Sequence, residues 1–240
     1  MFGLFRKKNV PSLRVDIHSH LIPNIDDGSK SIEESLILLE GMQKLGYEKV
    51  ITTPHIMLDS YKNTPNIINS ALSTLQKASK SKGLTIQIEA SAEYYLDEGF
   101  ENIIKNRAFI PIENQYILLE TSYLSKPMQL EDTIFSITSL GYTPILAHPE
   151  RYRYIKDFSI EYARLKELGV LFQVDLNSIE GYYGKNAKDK FKFLSNHGMI
   201  DFLGSDVHNE KQLKLLSKVF KSRAYLNIFD KNNILNNNFV

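Results

Sequence analysis

Cysteine is missing from all 240 residues, and no other gap in the composition removes as much chemistry. Without it there is no disulfide, no thiolate metal ligand and no cysteine nucleophile, so thiol-based phosphatase and protease mechanisms are excluded. Long apolar runs are missing too. No stretch approaches the roughly 20 residues needed to span a bilayer. The opening Met1-Phe2-Gly3-Leu4-Phe5 lacks the apolar region and small-residue cleavage site of a signal peptide, so the expected location is cytoplasmic. An excess of charge is also lacking: 29 Lys and Arg against 28 Asp and Glu leave a net charge of +1. That gives no global field to attract nucleic acid or a membrane surface, and the Arg6-Lys7-Lys8 run is short enough to read as a solvated terminus.

No low-complexity linker and no shift in composition divides the chain. The expectation is therefore a single domain over residues 1–240, with a core at about 14–222. A short extension precedes it, and the Asn-rich stretch from Asn232 to Asn238 is expected to fray.

What is present is an alternation of short β-rich runs and longer amphipathic stretches. Strands are expected at Arg14–His18, Lys49–Thr53, Thr85–Ala90, Tyr116–Glu120, Thr143–His148, Val170–Leu176 and Ile200–Gly204. Helices are expected at Ser31–Leu45, Asn66–Ser81, Leu130–Leu140, Ile160–Leu168, Lys185–Asn196 and Glu210–Phe220. Ser31 with Glu34 resembles a capping box. Gly46, Gly83, Gly141, Gly169 and Gly198 fall where helices should stop. Repeated βα units build either a barrel or an open doubly wound sheet, and periodicity does not separate the two.

The histidines carry the functional signal. Of six, five fall at or just after expected strand ends: His18, His20, His55, His148 and His208. His197 sits instead at a helix end before Gly198, where a cation meets the helix dipole favourably. Both parallel α/β architectures place their sites at the carboxyl ends of strands. Asp26 and Asp27, Glu93, Glu120 and Asp206 share that location. In His18-Ser19-His20, side chains two apart on an extended segment point the same way, and Asp206-Val207-His208 repeats the spacing. Imidazole and carboxylate ligands together suit Zn, Mn and Fe. A lone His after a strand reads as a hydrogen-bonded surface residue, and Asp26-Asp27-Gly28 alone reads as a turn with Gly at positive φ. Glu120, on an apolar strand, is a costly buried charge unless paired or metal-bound.

Taken in order, Asp16-Ile-His-Ser-His20, Asp26-Asp27-Gly28, Thr53-Pro54-His55, Ala92-Glu93, Leu118-Leu119-Glu120, His148-Pro149-Glu150-Arg151-Tyr152 and Gly204-Ser205-Asp206-Val207-His208 resemble the PHP (polymerase and histidinol phosphatase) superfamily. The opening and the His-Pro-Glu-Arg-Tyr block resemble its bacterial branch of protein-tyrosine phosphatases of capsular and exopolysaccharide synthesis. The likeness spans about Val15 to His208. It implies a distorted seven-stranded (β/α)7 barrel holding up to three metal ions, usually manganese, with iron or zinc elsewhere in the superfamily. By motif position it implies His18, His20, Asp27, His55, Glu93, Glu120, His148, Asp206 and His208 as ligands, with Asp26 supporting them. It implies Arg151 as the group that grips the substrate phosphate. Such a metal cluster acidifies water near neutral pH and neutralises phosphoryl charge, which needs no protein nucleophile.

The implied substrate is phosphotyrosine in a protein, such as a bacterial tyrosine kinase or regulator of polysaccharide export. Alternatives are a small phosphomonoester such as histidinol phosphate, a phosphodiester, or a non-catalytic metal-binding module. A phosphodiester ranks low because no basic, aromatic-interleaved run is visible, and the complete ligand set with Arg151 argues against the module. One departure stands out. These phosphatases commonly carry a second arginine shortly after Asp-x-His, whereas this chain reads Asn209-Glu210-Lys211-Gln212-Leu213-Lys214. Lys211 supplies charge there but not a bidentate fork.

Overall fold

A computed structural model describes residues 13–240. The N-terminal extension with its Arg6-Lys7-Lys8 run lies outside the described residues. Among the described residues there are nine strand segments: β1 Val15–Asp16, β2 Lys49–Thr52, β3 His55–Ile56, β4 Gln87–Ala90, β5 Glu93–Tyr95, β6 Tyr116–Glu120, β7 Thr143–Ala147, β8 Leu171–Asp175 and β9 Phe202–Gly204. The helices are α1 Ile32–Lys44, α2 Pro65–Lys82, α3 Phe100–Asn106, α4 Leu130–Ser139, α5 Phe158–Glu167, α6 Lys185–Asn196, α7 Glu210–Val219 and α8 Arg223–Lys231.

Every strand pairing is parallel, in the orders β1-β2-β4 and β3-β5-β6-β7-β8-β9. The segments make seven staves, because two of the staves are broken. Thr53-Pro54 interrupts one between β2 and β3, and proline has no N–H to give a ladder. Ser91-Ala92 interrupts the next between β4 and β5. Across these breaks Thr53 N–H donates to Ser19 O (2.7 Å), Ser91 N–H to Thr52 O (2.9 Å) and Glu93 N–H to Pro54 O (3.2 Å). The ring closes where the chain beyond β1 meets the chain beyond β9. Ser19 bridges Val207 in parallel, His20 N–H donates to Val207 O (3.0 Å), and Asp206 N–H donates to His18 O (2.8 Å). Closure decides for the barrel, in the distorted seven-stave form.

Strand alternation then sorts the side chains. On β6, Ile117 and Leu119 face the helices while Leu118 points inward. On β7, Leu146 faces out and Ile145 and Ala147 in. Inside the barrel Val15, Ile17, Ile51, Leu118, Ile145 and Phe202 form a small core beneath the strand ends. Outside, a larger core joins the strands to Leu38, Leu39, Ile134, Leu165, Leu194 and Leu216 on the helices.

The six expected helices form within two residues of their expected ends, and α3 and α8 are additional. Ser31 caps α1 by accepting from Glu34 N–H (3.2 Å), but Glu34 accepts from Lys30 N–H (2.8 Å), one residue outside a capping box. The five helix-stopping glycines all have positive φ, from 68° to 102°, the conformation in which a Cβ is costly. The Asn-rich end does not fray. Asn236 is buried, donates to Val15 O (2.9 Å) and Leu203 O (2.7 Å), and accepts from Leu203 N–H (3.0 Å). Its amide stitches the first stave to the last, and Phe239 packs into the inner core behind it. No helix among the described residues is long and apolar enough to cross a membrane.

Candidate metal centre

All nine residues implied as ligands meet at the carboxyl ends of the staves. Glu93 lies at the middle. Its Oε1 is 3.0 Å from His148 Nε2, and its Oε2 is 3.2 Å from His55 Nδ1, 3.3 Å from His18 Nε2 and 3.5 Å from His20 Nε2. Asp206 Oδ1 is 3.3 Å from His18 Nε2 and 3.4 Å from His20 Nε2. Glu120 reaches His55 and His148 at 3.7 Å. Asp27 Oδ1 is 3.5 Å from His55 Nε2 and 3.4 Å from His208 Nε2, with half its side chain open to solvent.

These spacings suit shared cations better than hydrogen bonds. Two atoms about 2.1 Å from one ion stand about 3.0 Å apart in an octahedron and about 3.4 Å apart in a tetrahedron. Glu93 Oε2 and His55 Nδ1 are buried without a hydrogen-bond partner, which is rare and calls for an explanation. His18 Nε2 and His20 Nε2 face each other at 3.3 Å. Four overlapping groups can each hold an ion: His20, Asp27, His55 and His208; His18, His20 and Asp206; His18, Glu93 and His148; and His55, Glu93 and Glu120. The donor set therefore fits a metal cluster.

The outer nitrogens are fixed by residues behind them. His18 Nδ1 is 2.7 Å from Gln173 Oε1 and His20 Nδ1 2.8 Å from Asp26 Oδ2. His208 Nδ1 is 2.9 Å from Asp206 O. An acceptor at Nδ1 puts the proton there and turns the Nε2 lone pair inward. Asp26 also accepts from Gly28 N–H (2.9 Å) and His55 N–H (3.2 Å), which is the supporting role expected of it. Gly28 differs from its expected reading. It is not among the positive-φ glycines; a Cβ on it would stand 2.2 Å from His20 O, so close approach and not turn geometry requires glycine. Two of the implied ligands occupy strained backbone: His148 has φ 32° and Asp206 φ 47°, a region unfavourable for residues with a Cβ.

The protonation pattern shows a pocket short of positive charge. Burial disfavours charge on His18, yet Glu93 and Asp206 bring it up to about 9. Burial also opposes charge on Glu93, but His18 and His55 hold it well below the carboxylate range. Glu120 moves the other way, pushed up to about 8 by burial and by Glu93. Burial lowers His55, and burial with Arg151 lowers His148 to about 4, which favours the neutral imidazole that binds a metal ion.

Arg151 stands at the rim. The one-turn helix Pro149–Arg151 follows His148, and Arg151 N–H donates back to His148 O (2.9 Å). The guanidinium donates to Asp206, to Asp175 (3.4 Å) and to Tyr123 OH (2.6 Å). It lies between the Tyr123 ring at 4.9 Å and the Tyr183 ring at 4.2 Å. Tyr123 OH in turn donates to Glu120 Oε1 (2.8 Å). Lys190, itself buried, donates to Tyr152 O and pins the turn from behind. His197 stays outside the cluster, against Phe193 O (2.8 Å). Lys211 Nζ lies 5.6 Å over the Tyr182 ring.

Reading the chain by residue type missed Gln173 and Asp175. Their signal was available: both are polar, on an otherwise apolar strand, two residues apart and so on one face. Burial of such groups is costly unless they are paired.

A model of the family described as capsular polysaccharide synthesis, CpsB/CapC, matches residues 14–227. The chain belongs to the CpsB/CapC family. Two curated relatives show the extent of the likeness. The tyrosine-protein phosphatase YwqE of Bacillus subtilis (strain 168) is 29% identical over 198 residues, covering 82% of this chain and 78% of the relative. The tyrosine-protein phosphatase CpsB of Streptococcus pneumoniae is 27% identical over 203 residues, covering 81% and 83%. A crystal structure from work on YwqE and CpsB, described as metal-dependent tyrosine phosphatases, superposes with a TM-score of 0.80 at 26% identity. It covers 90% of both chains. The CpsB/CapC match and the seven-stave barrel agree with the PHP-type resemblance of the sequence.

Proposed function

We propose that the chain is a metal-dependent phosphatase for phosphotyrosine in proteins, acting in the control of capsular polysaccharide synthesis. The substrate that fits this setting best is a tyrosine kinase of polysaccharide export or a regulator of it. His18, His20, Asp27, His55, Glu93, Glu120, His148, Asp206 and His208 would hold up to three ions, with manganese the leading candidate. When bound, the ions supply acidified water and neutralise charge on phosphoryl oxygens.

The observation that carries the reading is the position of Arg151. It is joined to the ligand set through Asp206, is 15% exposed at the rim, and keeps further N–H donors of its fork uncommitted. A planar fork beside a metal cluster suits a phosphate held by two oxygens. Tyr123 and Tyr183 flank that position and line the groove that an aromatic leaving group would enter. A tyrosyl oxygen, with a phenol pKa of about 10, leaves with less help from a proton donor than an alkyl oxygen needs.

The test is a set of initial rates with manganese on a phosphotyrosyl peptide, a phosphoseryl peptide, histidinol phosphate and a phosphodiester. The phosphotyrosyl peptide is expected to be turned over fastest. A higher kcat/KM on histidinol phosphate would overturn the assignment in favour of a small-molecule phosphatase.

A further inference from the structure

Beside the metal centre runs a groove of about 790 Å³ whose walls include Arg151 and Tyr183. It is also lined by Phe158, Arg153, Lys156 and Lys185, with no acidic side chain among its lining residues. Arg153 and Lys156 are exposed, and neither has an ion-pair partner among the described residues. Lys185 pairs with Asp189 at 2.7 Å, but with 91% of its side chain in solvent that pair is weak and easily exchanged.

The chain as a whole is near neutral, so this is a local concentration of one sign. A second hollow shares the β6–α4 connection through Pro127 and Met128 and has the opposite character, with Asp97, Glu98 and Glu101 in its walls. The two hollows therefore carry opposite charge, and the basic one is continuous with Arg151. Scattered surface cations would not explain that continuity. Nor does the phosphate need them, since Arg151 and the metal centre already face it.

We propose that this groove is a subsite for acidic residues next to the phosphotyrosine, so that the enzyme prefers phosphotyrosine set in acidic sequence. The proposal rests on the phosphotyrosine reading above and adds a substrate class to it. Aspartate or glutamate beside the phosphotyrosine would lie over Arg153 and Lys156 while the phosphate sits at Arg151. Lys185 is available to a residue farther along the groove. Exposed contacts of this kind are individually modest and screened by salt, so the expected signature is a graded, salt-sensitive preference.

The experiment compares kcat/KM of the manganese-loaded full chain on two phosphotyrosyl peptides, one flanked by glutamates and one by alanines. The ratio is taken within each enzyme preparation, so any general loss of activity cancels. In the parent protein the acidic peptide is expected to be favoured on the order of tenfold at 0.15 M salt, with the ratio falling toward one near 1 M. The Arg153→Glu, Lys156→Glu double variant is expected to bring the ratio to one or below. Lys156→Gln alone should lower it about threefold, which keeps the test open should the double reversal misfold. A parent ratio of one, or a ratio that survives the substitutions, overturns the subsite while leaving the phosphatase reading intact. If neither peptide is hydrolysed, the phosphatase reading fails and the subsite falls with it.

Discussion

Arg151 has two possible roles, and its contacts distinguish them. As an ordinary surface cation it would pair with its neighbour Glu150. Glu150 is instead fully buried, accepting from Asp175 N–H (3.0 Å) and Ser178 Oγ–H (2.7 Å), and burial pushes it up to about 7. Arg151 turns the other way, toward Asp206 and Tyr123. Its cation is well secured: burial opposes the charge, but Asp206 outweighs it and raises the group further above the ordinary arginine value. A clamp that tightens as charge develops in the transition state contributes on the order of a hundred- to thousand-fold in rate. Arg151→Ala is therefore expected to lower kcat/KM on a phosphotyrosyl peptide by that factor, with bound metal near the parent level by elemental analysis. Arg151→Lys should recover little, because an ammonium does not reproduce the fork. Full turnover by Arg151→Ala would remove the clamp from the mechanism.

At the scale of elements, what the sequence made legible was local, and what it concealed depends on closure. Apolar alternation and the five helix-stopping glycines mark the seven staves and six of the helices, because those signals need no partner. The breaks at Thr53-Pro54 and Ser91-Ala92 were not visible. They move His55 and Glu93 onto short continuing segments, β3 and β5, that pair with each other in register. The Asn-rich end was misread for a related reason. A run of asparagine has the composition of a loop, yet an amide carries both donor and acceptor and can bridge two strand ends that only the closed barrel brings together. Asn236 does this between Val15 and Leu203, and Asn232 holds the connection from α6 to β9, accepting from Ile200 N–H (3.0 Å) and donating to Ser195 O (3.0 Å). Removing one such side chain strands buried backbone groups, each at about 1–3 kcal/mol. Asn236→Ala is expected to destabilise the protein by at least about 1–3 kcal/mol in urea denaturation, whereas substitution of exposed Asn238 should be close to neutral. Equal, small effects at both positions would show that the tail is dispensable.

For the whole molecule, the barrel's main consequence is electrostatic. Ligand candidates from residue 18 to residue 208 are drawn to one point, and four of them are carboxylates: Asp27, Glu93, Glu120 and Asp206. Their location at strand ends was legible in the sequence. The strained backbone at His148 and Asp206 was not, since it arises from packing around the closed ring. Gly204 shows how tight that packing is: a Cβ there would stand 2.4 Å from Gln173 Nε2 and 2.7 Å from His18 Cβ. Converging acids repel one another: burial and Glu93 push Glu120 up, and Glu93 and Asp206 push His18 up, the directions expected of a pocket that lacks a cation. Ions that bind the folded state and not the unfolded chain stabilise it by about 2.7 kcal/mol at a hundredfold excess over Kd. Stripping the metal is thus expected to abolish phosphatase activity and to lower the melting temperature together, and manganese should restore both. Iodoacetamide should change neither, because the chain has no cysteine. The two readouts separate the possible failures. Activity that persists in a preparation shown by elemental analysis to be metal-free would exclude metal-assisted hydrolysis. Activity that is lost with no change in melting temperature would keep the chemistry but show that the acidic cluster is held together by the barrel alone.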